Sequence, residues 1–227
     1  MDTTPLIVED LLLMLLDDES GAIAGEGTLF YTLGGAVLVE LGLRGAVEID
    51  DAGGGLTGAR ITAVPGAEPS DPLLAGAYGT IAERPRGVQA LLPMIGADLR
   101  GTVLDRLEER GLIRQERRKM LGLFPTTRLL PVDTGYEKAL QDRVRAVLVD
   151  CVDPDARTAA VAALLSASGV LSHLHPTIRW SGDVYRRGKE LEKGNWGAEA
   201  VNTAVVRTAA AIAASSVAVT VTVVGTN

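Results

Sequence analysis

Two apolar runs open the chain and set its expected architecture. Leu6–Leu16 (LIVEDLLLMLL) predicts a helix from about Val8 to Leu16, closed by the charged turn from Asp17 to Gly21. Leu29–Leu43 predicts a second helix. Its Leu33, Val37 and Leu41 recur at i, i+4 and i+8, with Leu38 beside them, the spacing of an amphipathic face. Gly45 stands where a left-handed residue ends a helix. Ala46–Asp50 and Ala59–Val64 then read as two short strands joined by the Gly-rich loop Asp51–Gly55.

Further along, Pro65–Asp71 is a polar connector, Leu73–Ile81 a helix and Arg84–Gly87 a turn. Leu99, Val103 and Leu107 define a helix that ends at Arg110-Gly111. The strand Leu112–Gln115 follows, then a β-hairpin from Arg117 to Val132 with its tip near Leu121–Pro125. The helix end, glycine and strand start at 107–113 repeat those at 41–47, which reads as one solution to the same junction. Tyr136, Leu140, Val144 and Leu148 lie four apart and mark another helix. Asp153-Pro154-Asp155 signals a helix start with Asp153 at the cap and Pro154 in the first position, and Gly169 ends that helix. Ile178–Leu191 and the stretch from Ala198 onward supply two more. The prediction is a mainly α, single globular domain over residues 1–227, built of packed helices with small β-hairpins.

Composition agrees with a globular chain: 47% apolar and 22% charged, with only 4% aromatic residues, so Leu, Val and Ala must fill the core. Cys151 is the single cysteine, which excludes an intramolecular disulfide and fits a reducing, cytoplasmic setting. Asp2, Glu9 and Asp10 surround the first apolar run, where a secretory signal needs basic residues. Ala198–Val224 is rich in Ala, Val, Ser and Thr, and reads as a buried helix with a strand-like end rather than a membrane span.

Catalytic chemistry finds no support. His173 and His175 form an i, i+2 pair with no further ligand cluster nearby, so no metal or other cofactor is expected. Asp150 and Asp153 around Cys151 would raise a thiol pKa and disfavour a reactive cysteine. Gly53–Gly55 lacks the Lys-Ser/Thr of a phosphate-binding loop. Gly34-Gly35 lies inside a predicted helix and points to close helix–helix packing. The chain is read as non-enzymatic.

Charge is more informative. The net charge is −7, yet Arg100–Arg128 holds eight basic residues against four acids, so that segment carries +4 and the rest −11. Arg117, Arg118 and Lys119 directly precede Met120, Leu121, Gly122, Leu123 and Phe124. An apolar hairpin tip beside consecutive cations suits an anionic membrane, with the tip at the acyl boundary and the cations on headgroups. The same tip also suits folding back on the core or self-association into a homo-oligomer, and cations on a hairpin edge block aggregation.

On Leu6–Asp17, Leu38–Gly45 (LVELGLRG), Arg100–Ile113 (RGTVLDRLEERGLI) and the hairpin that follows, the chain resembles the Golgi phosphoprotein 3 family, in its bacterial, actinobacterial type. The resemblance extends through the C-terminal helices. It implies a mainly α domain. In eukaryotic members it also implies a phosphatidylinositol 4-phosphate pocket and a hairpin used in membrane contact and self-association. Aligned on LVELGLRG, the positions of the four phosphate ligands fall at Gly25, Gly34, Ala97 and Arg100, of which Arg100 alone matches.

The function expected is therefore a peripheral phospholipid-binding or adaptor-like protein on the cytoplasmic, inner face of a membrane. Arg100, Arg117, Arg118 and Lys119 are its headgroup contacts, and Leu121, Leu123 and Phe124 its membrane or self-association tip. The partner is an anionic phospholipid surface, with a phosphoinositide as one candidate. The alternative is a winged-helix DNA binder, with Leu99–Arg110 as recognition helix and the hairpin as wing. Against nucleic acid stand the acidic chain and Asp105, Glu108 and Glu109 on that helix. An enzyme of unknown type is a third reading.

Overall fold

The two apolar runs occupy the centre of the molecule. The computed structural model describes residues 4–50, 60–120, 124–132, 134–194, 196 and 213, with the backbone alone at 50, 117–120 and 124–126. Every residue of helix α1 (Ile7–Leu15) is buried, and eleven of the fifteen in α2 (Leu29–Leu43). The amphipathic face expected of α2 is thus a correction: α1 and the helices at 72–82, 88–96, 99–109 and 156–167 pack around it, so it is apolar nearly all round.

At its end Gly45 is left-handed (φ +67°), and Ala46 N–H reaches back to the Leu41 carbonyl at 2.9 Å. Gly111 (φ +71°) and the Leu112-to-Leu107 bond, also 2.9 Å, repeat this closure at the end of α5 (Leu99–Glu109). Both helices therefore hand over to a strand through the same glycine cap.

Strands β1 (Val47–Asp50) and β2 (Arg60–Ala63) pair antiparallel, from Val47 opposite Ala63 to Asp50 opposite Arg60. The loop Asp51–Gly55 lies outside the described residues. β3 (Arg86–Gly87) adds an edge to β2 at the place expected to be a turn, because Arg60 and Ile61 leave a free ladder side for it. Helix α3 (Pro72–Ala82) starts as its sequence asks: the Asp71 carboxylate accepts from Leu73 N–H (3.0 Å) and Leu74 N–H (3.3 Å), with Pro72 in the first position. Helix α4 (Val88–Gly96) carries Pro93 in its interior, which breaks the local signal and left the element without a sequence prediction.

Strands β4 (Ile113–Met120) and β5 (Phe124–Pro131) make the hairpin. Helices α6 (Thr134–Leu148), α7 (Ala156–Ala167) and α8 (Gly182–Glu192) close the bundle. Two starts move from their expected places. Helix α7 is capped by Asp155, not Asp153, since the Asp155 carboxylate accepts from Thr158 N–H and its hydroxyl (2.9 and 2.8 Å). Helix α8 begins after Ser181, whose hydroxyl accepts from Val184 N–H (3.2 Å), so Ile178–Ser181 are not helical.

One core cluster runs from Leu6 to Ala213, which gives the mainly α single domain that the pattern predicts. Of the stretch from Ala198 onward only Ala213 is described; it is helical and buried. No described helix is long and apolar enough to cross a membrane.

Candidate functional site

The hairpin is one continuous ladder. Its register runs from Ile113 opposite Pro131 to Met120 opposite Phe124, so the expected break between a strand at 112–115 and a hairpin starting at Arg117 does not exist. Arg117, Arg118 and Lys119 stand opposite Thr127, Thr126 and Pro125. Leu121 and Leu123 lie outside the described residues, as do the side chains of Arg117, Arg118, Lys119 and Phe124.

The base of the ladder is tied to the body. Ile113 and Leu129 are in the core, and Val132 N–H donates to the Leu112 carbonyl (2.9 Å). Gln115 bonds the carboxylates of Glu108 and Asp105 on α5, both at 2.9 Å. On the other strand, Arg128 donates to the Glu19 carbonyl (3.1 Å), and left-handed Gly21 abuts the Leu129 backbone, where a side chain would press on its carbonyl.

Helix α5, which feeds this hairpin, is held by charges buried in the core. Glu9 (0% exposed) accepts from Leu6 N–H (2.7 Å) and Arg110 Nε (2.7 Å), with Arg106 Nε at 3.4 Å. Arg106 continues to Asp71 (2.8 Å). Next to Glu9, Asp10 (1% exposed) takes Arg157 of α7 at 2.7 Å and the Tyr136 hydroxyl of α6 at 2.5 Å. Glu40 of α2 accepts from Ile7 N–H (2.8 Å), Arg44 (2.9 Å) and Arg157 (3.4 Å), while Arg157 also reaches the Pro5 carbonyl.

Burial pushes Asp10 above the usual carboxylate range, against the pull of Arg157 and Tyr136. Burial, and then the bond to Asp10, raise the Tyr136 phenol. All six carboxylate oxygens of Glu9, Asp10 and Glu40 have a partner, so the network fastens α5 and α7 to α1 and α2. Sequence reading passed over it. The available signal was Glu9-Asp10 inside an otherwise apolar run, since acids buried there need cations.

Arg100 lies in the first turn of α5 and is half exposed. Its Nε is 2.6 Å from Glu26 in the 3-10 turn Glu26–Thr28. Gly25 precedes that turn with φ +72°. A Cβ on Gly34 would overlap the Leu92 carbonyl oxygen, and one on Gly96 the Phe30 carbonyl oxygen, so α2 and α4 cross in backbone contact, as the glycine pair predicts. Gly25, Gly34, Ala97 and Arg100 thus border one corner where α2, α4 and α5 meet. Of these four described positions Arg100 alone is a cation, and it faces Glu26.

His173 and His175 are exposed, and the described residues hold no group of three or more metal-ligating side chains. A groove of about 320 Å³ between β2 and α3 is lined by apolar side chains, by Thr62 and by Tyr78, whose hydroxyl donates to the Val64 carbonyl (2.7 Å).

The family model for Golgi phosphoprotein 3 (GPP34) matches residues 7–208, from the first residue of α1 to beyond Trp196. The chain belongs to the Golgi phosphoprotein 3 family. No curated protein matches it. For a Golgi phosphoprotein 3 family member the matched span takes in the central helices, the charge network and the hairpin together. The winged-helix DNA-binding reading gains nothing from this match or from a helix whose Asp105 and Glu108 are bound to Gln115.

Proposed function

We propose that this Golgi phosphoprotein 3 family member is a non-enzymatic, adaptor-like peripheral protein that docks on anionic phospholipid membranes through the β4–β5 hairpin. One observation carries the reading. The run Arg117–Lys119 sits one to three residue pairs below the last pair of the ladder, Met120 opposite Phe124, beside the apolar sequence at 121–123 and on a ladder whose base is fixed to the core. Three cations near an anionic surface contribute on the order of 3 kcal/mol. Leu121, Leu123 and Phe124 supply the apolar contact, and Arg100 adds a weaker headgroup contact because Glu26 offsets its charge. A phosphate monoester is selected by several converging cations. The Arg100 corner therefore supports general attraction to anionic headgroups over recognition of a phosphoinositide. The cytoplasmic, inner-face placement belongs to the same proposal.

Co-sedimentation with neutral and anionic vesicles at low and high salt tests it. Salt-sensitive binding to anionic vesicles, lost in the triple variant Arg117→Ser, Arg118→Ser, Lys119→Ser with the fold intact, is the expected result. Unchanged binding in that variant removes the hairpin from the mechanism. Loss of a dimer in Leu123→Asp, Phe124→Asp with lipid binding retained assigns the tip to self-association instead.

A further inference from the structure

Only two tryptophans occur in this chain, and they have opposite fates. Trp196 is fully buried, with its indole N–H on the Leu191 carbonyl (3.0 Å). Trp180 is 46% exposed, and its ring meets that of Tyr185, itself 48% exposed, edge-on at 6.0 Å. Lys189 Nζ lies 5.6 Å from the Tyr185 ring. Tyr185, Lys189 and Lys193 follow one another at i, i+4 and i+8, so they form a line about 12 Å long on one side of α8.

The opposite side of α8, Val184, Gly188 and Leu191, is buried. Gly188 abuts Ser166 of α7 without room for a side chain, and Ser166 is bonded to Glu192 (2.6 Å). The exposed strip is thus presented on a fixed helix. Its charges are unbalanced. From Leu171 to Gly194 there are five basic residues and three acids. Asp183, Glu190 and Glu192 are each taken by Arg186, Arg187 and Lys189. The side chains of Arg179 and Lys193, both exposed, make no hydrogen bond or ion pair among the described residues.

We infer that the strip Arg179–Trp180–Tyr185–Lys189–Lys193 is a second membrane-contact surface, fitted to the interface of an anionic bilayer. The surplus positive charge on a chain of net −7 selects an anionic partner. Indole and phenol rings with one apolar body and one polar edge settle at headgroup level. Aromatic rings at one end of the line, with Arg179 next to Trp180 in sequence and Lys193 at the far end, match the acyl boundary and the phosphate layer respectively. The inference rests on the membrane reading proposed for the hairpin and adds a surface that the hairpin reading does not contain.

The test uses the intrinsic fluorescence of the full chain with vesicles of phosphatidylcholine and phosphatidylglycerol brominated in their acyl chains. Quenching of the wild-type emission is expected, and Trp180→Phe, which keeps only buried Trp196, should lose it. Arg179→Gln with Lys193→Gln should weaken vesicle partitioning by about fivefold for each charge. Co-sedimentation without quenching, and with the double variant binding as tightly as wild type, overturns this strip while leaving the hairpin in place. Absence of co-sedimentation overturns both. A Trp180 emission shift that grows with protein concentration in the absence of vesicles overturns the strip in favour of a second copy of the chain.

Discussion

Glu137 offers a quantitative check on how the core handles charge. It sits in the first turn of α6, 4% exposed, and its carboxylate accepts a bond from the Gln141 side chain at 2.9 Å. Unlike Glu9, Asp10 and Glu40, it has no guanidinium partner among the described residues; the charge acting on it is the acid Asp18. Burial first, and Asp18 second, push its pKa from 4.5 up to about 7. A carboxyl raised on folding holds its proton more tightly in the folded state, so ionisation destabilises the fold. The penalty is absent below the unfolded value of 4.5, grows as pH rises, and is complete above 7.

The two values correspond to a penalty of about 3 kcal/mol at pH 8 and about 1 kcal/mol at pH 5.5. Glu137→Gln keeps the acceptor for Gln141 and removes the charge. It should therefore raise stability by close to those amounts, measured by urea unfolding of both proteins at the two pH values. A variant no more stable than wild type at pH 8, or an advantage that does not widen with pH, would refute the account of an unpaired buried carboxylate.

Arg157→Leu should cost about 3–5 kcal/mol in the same assay, because it strands Asp10 and Glu40 without their shared cation. Gly34→Ala should destabilise by about 3 kcal/mol or prevent folding, since the methyl group meets the Leu92 main chain; a soluble variant with unchanged thermal midpoint would contradict the crossing geometry. Glu26→Gln should leave stability within about 0.5 kcal/mol, the pair being half exposed, while strengthening binding to anionic vesicles by freeing Arg100. Tyr136→Phe should cost about 1–3 kcal/mol by leaving Asp10 one donor short.

The parts of this fold governed by neighbours in sequence were legible in advance. Helix α2 ends at Leu43 and Gly45 turns left-handed because Leu-Arg-Gly encodes a cap within five residues. Other features depend on distant partners. Arg86-Gly87 becomes a strand only because β2 offers an edge. The choice of Asp155 over Asp153 as cap is an exception, being local: it is settled by the reach to Thr158 three residues on, which the Pro flanked by two acids masks. Most of all, the cations for Glu9 and Asp10 lie about a hundred residues or more downstream, at Arg106, Arg110 and Arg157. The hairpin and its cation run were visible in sequence, whereas the Trp180–Tyr185 contact required the cap at Ser181 to place the two rings together.

The backbone contact between α2 and α4 bears on how headgroup selectivity can be gained or lost in such a chain. The family resemblance puts a phosphate-binding arginine at Gly34, yet the obstacle there is the Leu92 carbonyl, part of the main chain. No side-chain change on α4 removes it. An arginine arriving at 34 by point mutation meets a folding defect before it can meet a ligand, and Gly96 against Phe30 closes the reverse route, in which α4 alone is remodelled. Any headgroup selectivity built at this corner would therefore be coupled to the spacing of two helices, and no single substitution at 34 would supply it.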